Sequence, residues 1–201
     1  MAPKTPTIAP PTAQQISLAK AKADQIIAQA GAAAAFSNVT TGAWPTVRHR
    51  LSGAYCSFPD NPRPRIVLGP HDSATCEEPA DYWVTFITVS RAPPGATSDS
   101  ELAKAVAVER TEHVTLVPAS RPASVLPLPA GRRPPGDPEA WLNVPGGADV
   151  MLIARVQNGW VYQGKMAAQP KIFTVVEDQI ADFIIDSVVN DPQVPASKRP
   201  K

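Results

Sequence analysis

Residues 150–166 read VMLIARVQNGWVYQGKM. Two apolar-rich runs, 150–156 and 160–166, flank Asn158-Gly159. Asn-Gly between two such runs is the strongest short-range signal for a β-hairpin, because both turn residues tolerate positive φ. This predicts an antiparallel pair, and with it a sheet built from hairpins rather than from βαβ crossovers.

Other segments fit the same sheet. Residues 82–89 (YWVTFITV) form the strongest strand pattern in the chain. Trp83, Thr85, Ile87 and Val89 alternate with Tyr82, Val84, Phe86 and Thr88, so both faces are apolar and the strand is expected to be central and covered on both sides. Residues 47–51 place Val47, His49 and Leu51 on one face, with Arg48 and Arg50 on the other. Ser52-Gly53 reads as a turn, Ala54, Cys56 and Phe58 continue an inward face, and 65–68 is a short strand. Residues 69–81 read as a polar loop carrying Cys76, and 114–117 as a further short strand.

Three helices are predicted. The first runs from the cap Thr12 to about Phe36, with Ile16, Ala19, Ala23, Ile26 and Ile27 at helical spacing. The second is introduced by a Ser98/Glu101 capping box and ends near Thr111. The third follows a Thr174/Glu177 box. It carries Val176, Ile180, Phe183, Ile184 and Val188 on one stripe, with Glu177, Asp178, Asp182 and Asp186 largely away from it. The fold class is therefore α+β: an antiparallel sheet flanked by helices, with a long N-terminal helix and a C-terminal helix. Residues 1–12 read as a disordered tether, 13–190 as a single domain, and 191–201 as a polar tail.

A chain of 201 residues supports one core. Its 19 Lys and Arg balance 18 Asp and Glu, which argues against a general nucleic-acid binder. No apolar run reaches the length of a membrane span. The N-terminus lacks a signal-peptide pattern, but the Ala/Pro/Thr-rich stretch 2–13 resembles the tether that follows a cleaved signal. Cys56 and Cys76 lie in or beside predicted strands, and two lone cysteines in one β unit suit a disulfide better than a metal site. These features predict a periplasmic or secreted protein whose signal peptide has been removed.

Residues 118–149 hold eight prolines and four glycines. An insertion of this length without structure of its own usually serves a function or is disordered. Arg132, Arg133, Trp141 and Leu142 are its candidate partner-binding residues, the last two being its bulky anchors.

Three pieces carry a resemblance over roughly residues 47–189: the Ser52-Gly53 turn between early strands, the capped helix at 98–110 after a long strand, and the Asn158-Gly159 hairpin with its final amphipathic helix. In this order they resemble the Mog1/PsbP-like α/β sandwich. The segment VRHRLSGAYCSF (47–58) is similar to uncharacterised exported proteins of alphaproteobacteria. The resemblance implies an exported accessory domain without catalysis, and carries over no functional residue.

Candidate chemistry is sparse. His49, His71 and His113 share no metal-binding motif, and the densest ligand set, His71, Asp72, Cys76, Glu77 and Glu78, reads as a solvated loop. No G-x-S-x-G elbow or phosphate loop occurs. No catalytic residue, metal ligand or cofactor site is assigned. The leading expectation is a non-catalytic exported domain that binds a protein or cell-envelope partner, not nucleic acid. The alternatives are a small metal-dependent hydrolase using His49, His71 and Asp72, and a module with an aromatic groove built from Trp83, Trp160 and Tyr162.

Overall fold

The first helix owes its start to Thr12 and its end to Gly31. In the computed structural model, which describes residues 10–58, 63–79, 83–113, 115–120, 138–145 and 147–168, α1 spans Ala13–Gln29. The Thr12 hydroxyl accepts the Gln15 N–H, and the Gln15 side chain closes the reciprocal bond. The helix does not continue to Phe36 as its alanines predict. Gly31 adopts φ 61°, and the Gly31 and Ala32 N–H groups turn back to the carbonyls of Ala28 and Ile27. This left-handed terminator outweighs alanine propensity, and the chain enters β1 (Phe36–Asn38) instead.

Among the described residues, nine further strands and one helix follow: β2 (Thr46–His49), β3 (Tyr55–Ser57), β4 (Arg65–Leu68), β5 (Ala74–Pro79), β6 (Trp83–Arg91), α2 (Ser98–Glu112), β7 (Val117–Ala119), β8 (Glu139–Asn143), β9 (Asp149–Gln157) and β10 (Trp160–Ala168). They form two antiparallel sheets: β1-β2-β3, and a seven-stranded sheet in the order β4-β5-β6-β10-β9-β8-β7. The fold is α+β. The β9–β10 turn has Asn158 and Gly159 both at positive φ, with Gln157 paired to Trp160, as the Asn-Gly signal requires.

Alternation along the strands separates two cores. On β9, Met151 and Ile153 join Trp141, Trp160, Tyr162 and Met166 beneath α1 and the small sheet, while Val150, Leu152 and Ala154 meet Leu102 of α2 on the other face. The α2 cap is shifted from the expected box: Thr97 is the N-cap and pairs with Ser100, while the Ser98 hydroxyl accepts the Val156 N–H.

Two expectations are corrected. Residues 74–79, read as part of a loop, form β5, with Ala74, Cys76 and Glu78 buried and Thr75 and Glu77 turned outward. The insertion 118–149 holds β8 and ends β7, so it is not structureless along its length. Residues 121–137 and the helix predicted after Thr174 lie outside the described residues.

The disulfide is present: Cys56 of β3 joins Cys76 of β5, with Cα atoms 6.3 Å apart. It links the two sheets rather than stapling one hairpin. Titration of unreduced, unfolded protein is expected to find no free thiol. The Cys56→Ala/Cys76→Ala double variant is expected to lose about 3 kcal/mol of stability in urea unfolding, from release of the closed loop.

Glu78 breaks the apolar pattern of the first core. It is 3% exposed and sits opposite Thr85 on β6. Among the described residues, neither Glu78 Oε1 nor the Thr85 hydroxyl has a hydrogen-bond partner. Burial pushes the Glu78 carboxyl up to about 8, against a smaller opposing effect of Lys22.

Candidate functional site

His49, the last residue of β2, is 1% exposed. The β2–β3 turn returns over it: the Ser52 N–H donates to His49 Nδ1 at 3.2 Å, and the Ser52 hydroxyl lies 2.9 Å from the same nitrogen. Ser52 Oγ also accepts the Ala54 N–H at 3.2 Å. From β10, the Tyr162 hydroxyl donates to the Ser52 carbonyl at 2.9 Å. Phe36 and Trp160 meet the imidazole in edge-on geometry, with ring centroids 5.2 and 5.5 Å away.

A backbone N–H can only donate, so Nδ1 accepts and the neutral ring carries its proton on Nε2. Burial holds the imidazole below its ordinary value of 6.5, with Arg91 acting in the same direction and Asp72 opposing. The Ser52 hydroxyl can donate to Nδ1, but it shares that nitrogen with a backbone N–H and is itself buried. Asp72 pairs with Arg91 at 3.2 Å instead of orienting the ring, and Arg91 stacks 4.0 Å from the centroid of Trp160. A serine–histidine–aspartate relay needs the carboxylate on the second ring nitrogen, and no such bond forms here.

His49 lines a cavity of about 260 Å³ with Ala34, Ala35, Leu51, Asp72 and Ser73. It lies between the small sheet and the β4–β5 hairpin, whose tip residues His71 and Asp72 have φ of 54° and 62°. Two of the three residues named for a hydrolase, His49 and Asp72, therefore share a cavity. His113 is far along the chain as the C-cap of α2. Among the described residues no three His, Cys, Asp or Glu side chains form a metal-ligating group, and Cys76 is committed to its bridge.

The protonation of His49 has a measurable consequence. The unfolded ring binds a proton near 6.5 while the folded one resists it, so the unfolded state takes up more protons as pH falls through that value. The stability advantage of wild type over His49→Gln is expected to shrink as pH drops from about 7 to 5. Urea midpoints measured side by side check this, and a pH-independent difference would contradict it.

The remaining candidates separate. Trp141 (6% exposed) and Leu142 (2%) point to opposite faces of β8 and fill the two cores, so they are not surface anchors of a free loop. Arg132 and Arg133 lie outside the described residues. Trp160 and Tyr162 are buried rather than arranged around an open groove, and the side chain of Trp83 is not among those described. Sequence reasoning missed Ser52, Arg91 and Tyr162 as neighbours of His49. The Tyr162–Ser52 bond joins residues 110 positions apart and leaves no local pattern. No family model, curated protein or solved structure matches the chain.

Proposed function

We propose that the protein is a non-catalytic exported domain that binds a protein or cell-envelope partner, with the cavity over His49 as its recognition point. The observation that carries this reading is the tautomer of His49. With Nδ1 occupied by Ser52, the remaining ring nitrogen of this cavity-lining residue is an N–H donor rather than a lone pair. A donor beside the Asp72 carboxylate suits a neutral group bearing both an acceptor and a donor, such as a peptide amide or an N-acetylated sugar of an envelope polymer. The disulfide is compatible with an oxidising compartment, and no described helix is long and apolar enough to cross a membrane. A metal-dependent hydrolase on His49, His71 and Asp72 draws less support, because a ligating imidazole needs a free lone pair.

The probes are soluble peptidoglycan fragments and N-acetylated peptide amides, added to protein whose imidazole nitrogens are followed by NMR. The expected result is a saturable shift of His49 Nε2 and of the Ala34, Gly69 and Ser73 amides. Ala34→Trp, at an exposed position on the cavity wall, should abolish the shift with the melting temperature unchanged. Absence of any shift at millimolar probe would sink the proposal. So would turnover of a probe, or stoichiometric zinc that is lost on His71→Ala.

A further inference from the structure

The last turn of α2 breaks a local rule. Carbonyls at a helix C-terminus present partial negative charge and favour cations beside them, yet this turn carries Glu109 and Glu112. Both line a groove of about 460 Å³ between α2 and strands β5, β6 and β10, whereas Arg110 of the same turn does not. That volume falls in the range of small-molecule sites, roughly 300–1,000 Å³. Phe86 and Leu152 belong to the apolar lining, and Val108 of α2, 53% exposed, stands at the side. No lining residue is shared with the His49 cavity.

Glu109 is 6% exposed. Its Oε1 accepts from the Lys165 ammonium at 2.5 Å, and that ammonium lies 5.4 Å from the centroid of the Phe86 ring. Its Oε2 is buried and has no hydrogen-bond partner among the described residues. A carboxylate accepts at both oxygens, and a buried acceptor left unmet costs free energy. Two other charges of the groove are matched by neighbours outside its lining: Lys104 pairs with Glu101 at 2.6 Å, and Glu77 with Arg65. Glu112 has no partner among the described residues. The remainder is negative: one unmatched carboxylate and one unmet carboxylate oxygen, with no lysine of the lining left over to answer them.

We propose that this groove binds a small organic cation, an ammonium or amidinium group on an apolar body, at Glu109. Lys165 already displays the mode of recognition, a carboxylate oxygen combined with an aromatic ring. An amidinium presents two parallel N–H groups and can meet both oxygens of Glu109, which the Lys165 ammonium does not do. Lys165 stands on a flexible four-carbon stem, so it can swing along the groove and let one cation replace another. The apolar body then settles against Phe86, Leu152 and Val108, which an inorganic cation would leave uncovered. A strut between α2 and β10 accounts for the Lys165–Glu109 pair, but not for the unmet Oε2 or the acidic last turn. Local rules are broken most often where a site requires it.

The test uses the full chain with its native bridge. The probe is benzamidine, set against benzamide, its neutral counterpart of nearly the same shape. In an NMR titration, benzamidine is expected to give saturable shifts of the Lys104, Glu109 and Gln163 amides, with affinity roughly tenfold above that of benzamide, as one charge-assisted contact supplies. Lys165→Met keeps the apolar stem and frees both Glu109 oxygens, so it should bind benzamidine several-fold tighter than wild type. Glu109→Gln should lose the preference for the charged probe. Val108→Lys, at an exposed position, tethers a cation beside the groove and should weaken benzamidine binding several-fold with the melting temperature unchanged. This last variant decides the matter even where the other two do not fold. No saturable shift at millimolar benzamidine would overturn the proposal. So would equal affinity for the two probes, a folded Lys165→Met that binds no tighter than wild type, or a Val108→Lys that binds as wild type does.

Discussion

A chain in which residues 121–144 are replaced by a short Gly/Ser linker is expected to lose its cooperative fold. The replacement removes β8, and with it the pairing partner of both β7 and β9. It also removes Trp141 from one core and Leu142 from the other. Truncating a buried tryptophan to alanine costs about 3–5 kcal/mol, and a buried leucine about 2–5 kcal/mol. Either amount is a large share of the 5–15 kcal/mol typical of a domain's total stability. Trp141→Ala alone should therefore lower the urea midpoint strongly while leaving the disulfide intact. A replacement confined to 121–136, which spares β8, should be far milder. If the longer replacement melts within a few degrees of wild type, β8 does not belong to the core in solution.

Replacing Glu78 with glutamine is expected to stabilise the protein at alkaline pH and to change it little at pH 5. The unfolded carboxyl ionises near 4.5, whereas burial holds the folded one protonated up to about 8. Between those values the folded state binds more protons than the unfolded state, so stability falls as pH rises and levels off above about 8. At roughly 1.4 kcal/mol per pH unit the accumulated loss is on the order of 5 kcal/mol. Glutamine is neutral throughout and avoids it. Urea unfolding of both proteins at pH 5 and pH 9 checks the sign: the gap should open toward pH 9. A gap that opens toward pH 5 would mean that Glu78 is held as a carboxylate in the fold. Because His49 loses stability in the opposite direction, below its ordinary 6.5, the wild type should be most stable in mildly acidic buffer.

The parts of this fold that were legible in the sequence are those set by neighbours along the chain. Asn158-Gly159 announced its hairpin because the turn needs two tolerant residues in succession. Thr12 announced its cap, but residues 82–89 read as apolar on both faces, and only the structure separates the buried Thr85, Ile87 and Val89 from the half-buried Val84, Phe86 and Thr88 of β6. What escaped was set by tertiary context. β5 was hidden by Glu77 and Glu78, since a buried carboxyl reads as a solvated one until its surroundings are known. β8 was hidden by Pro138 and the glycines around it, which punctuate both ends of a five-residue strand. At His49 the inward orientation was legible from its alternation with Val47, but the tautomer was not. That depends on an N–H supplied by Ser52 and on a hydroxyl from Tyr162, which only the closed sheet brings near.

The sheet order also dictates a timetable. β6 lies between β5, its immediate predecessor, and β10, with residue 83 paired to residue 168 and residue 91 to residue 160. Closing so long a loop is paid in entropy before any contact rewards it, and folding dominated by such pairings is slow. During synthesis, everything up to β6 leaves the ribosome without the strand that completes the sheet. The helix α1, the small sheet and the β4-β5-β6 meander can pair locally before then, but the seven-stranded sheet closes only when its last described strand is made. Until β9 and β10 arrive, one edge of β6 lacks its partner strand, and that open edge is where a half-made chain is most exposed to aggregation.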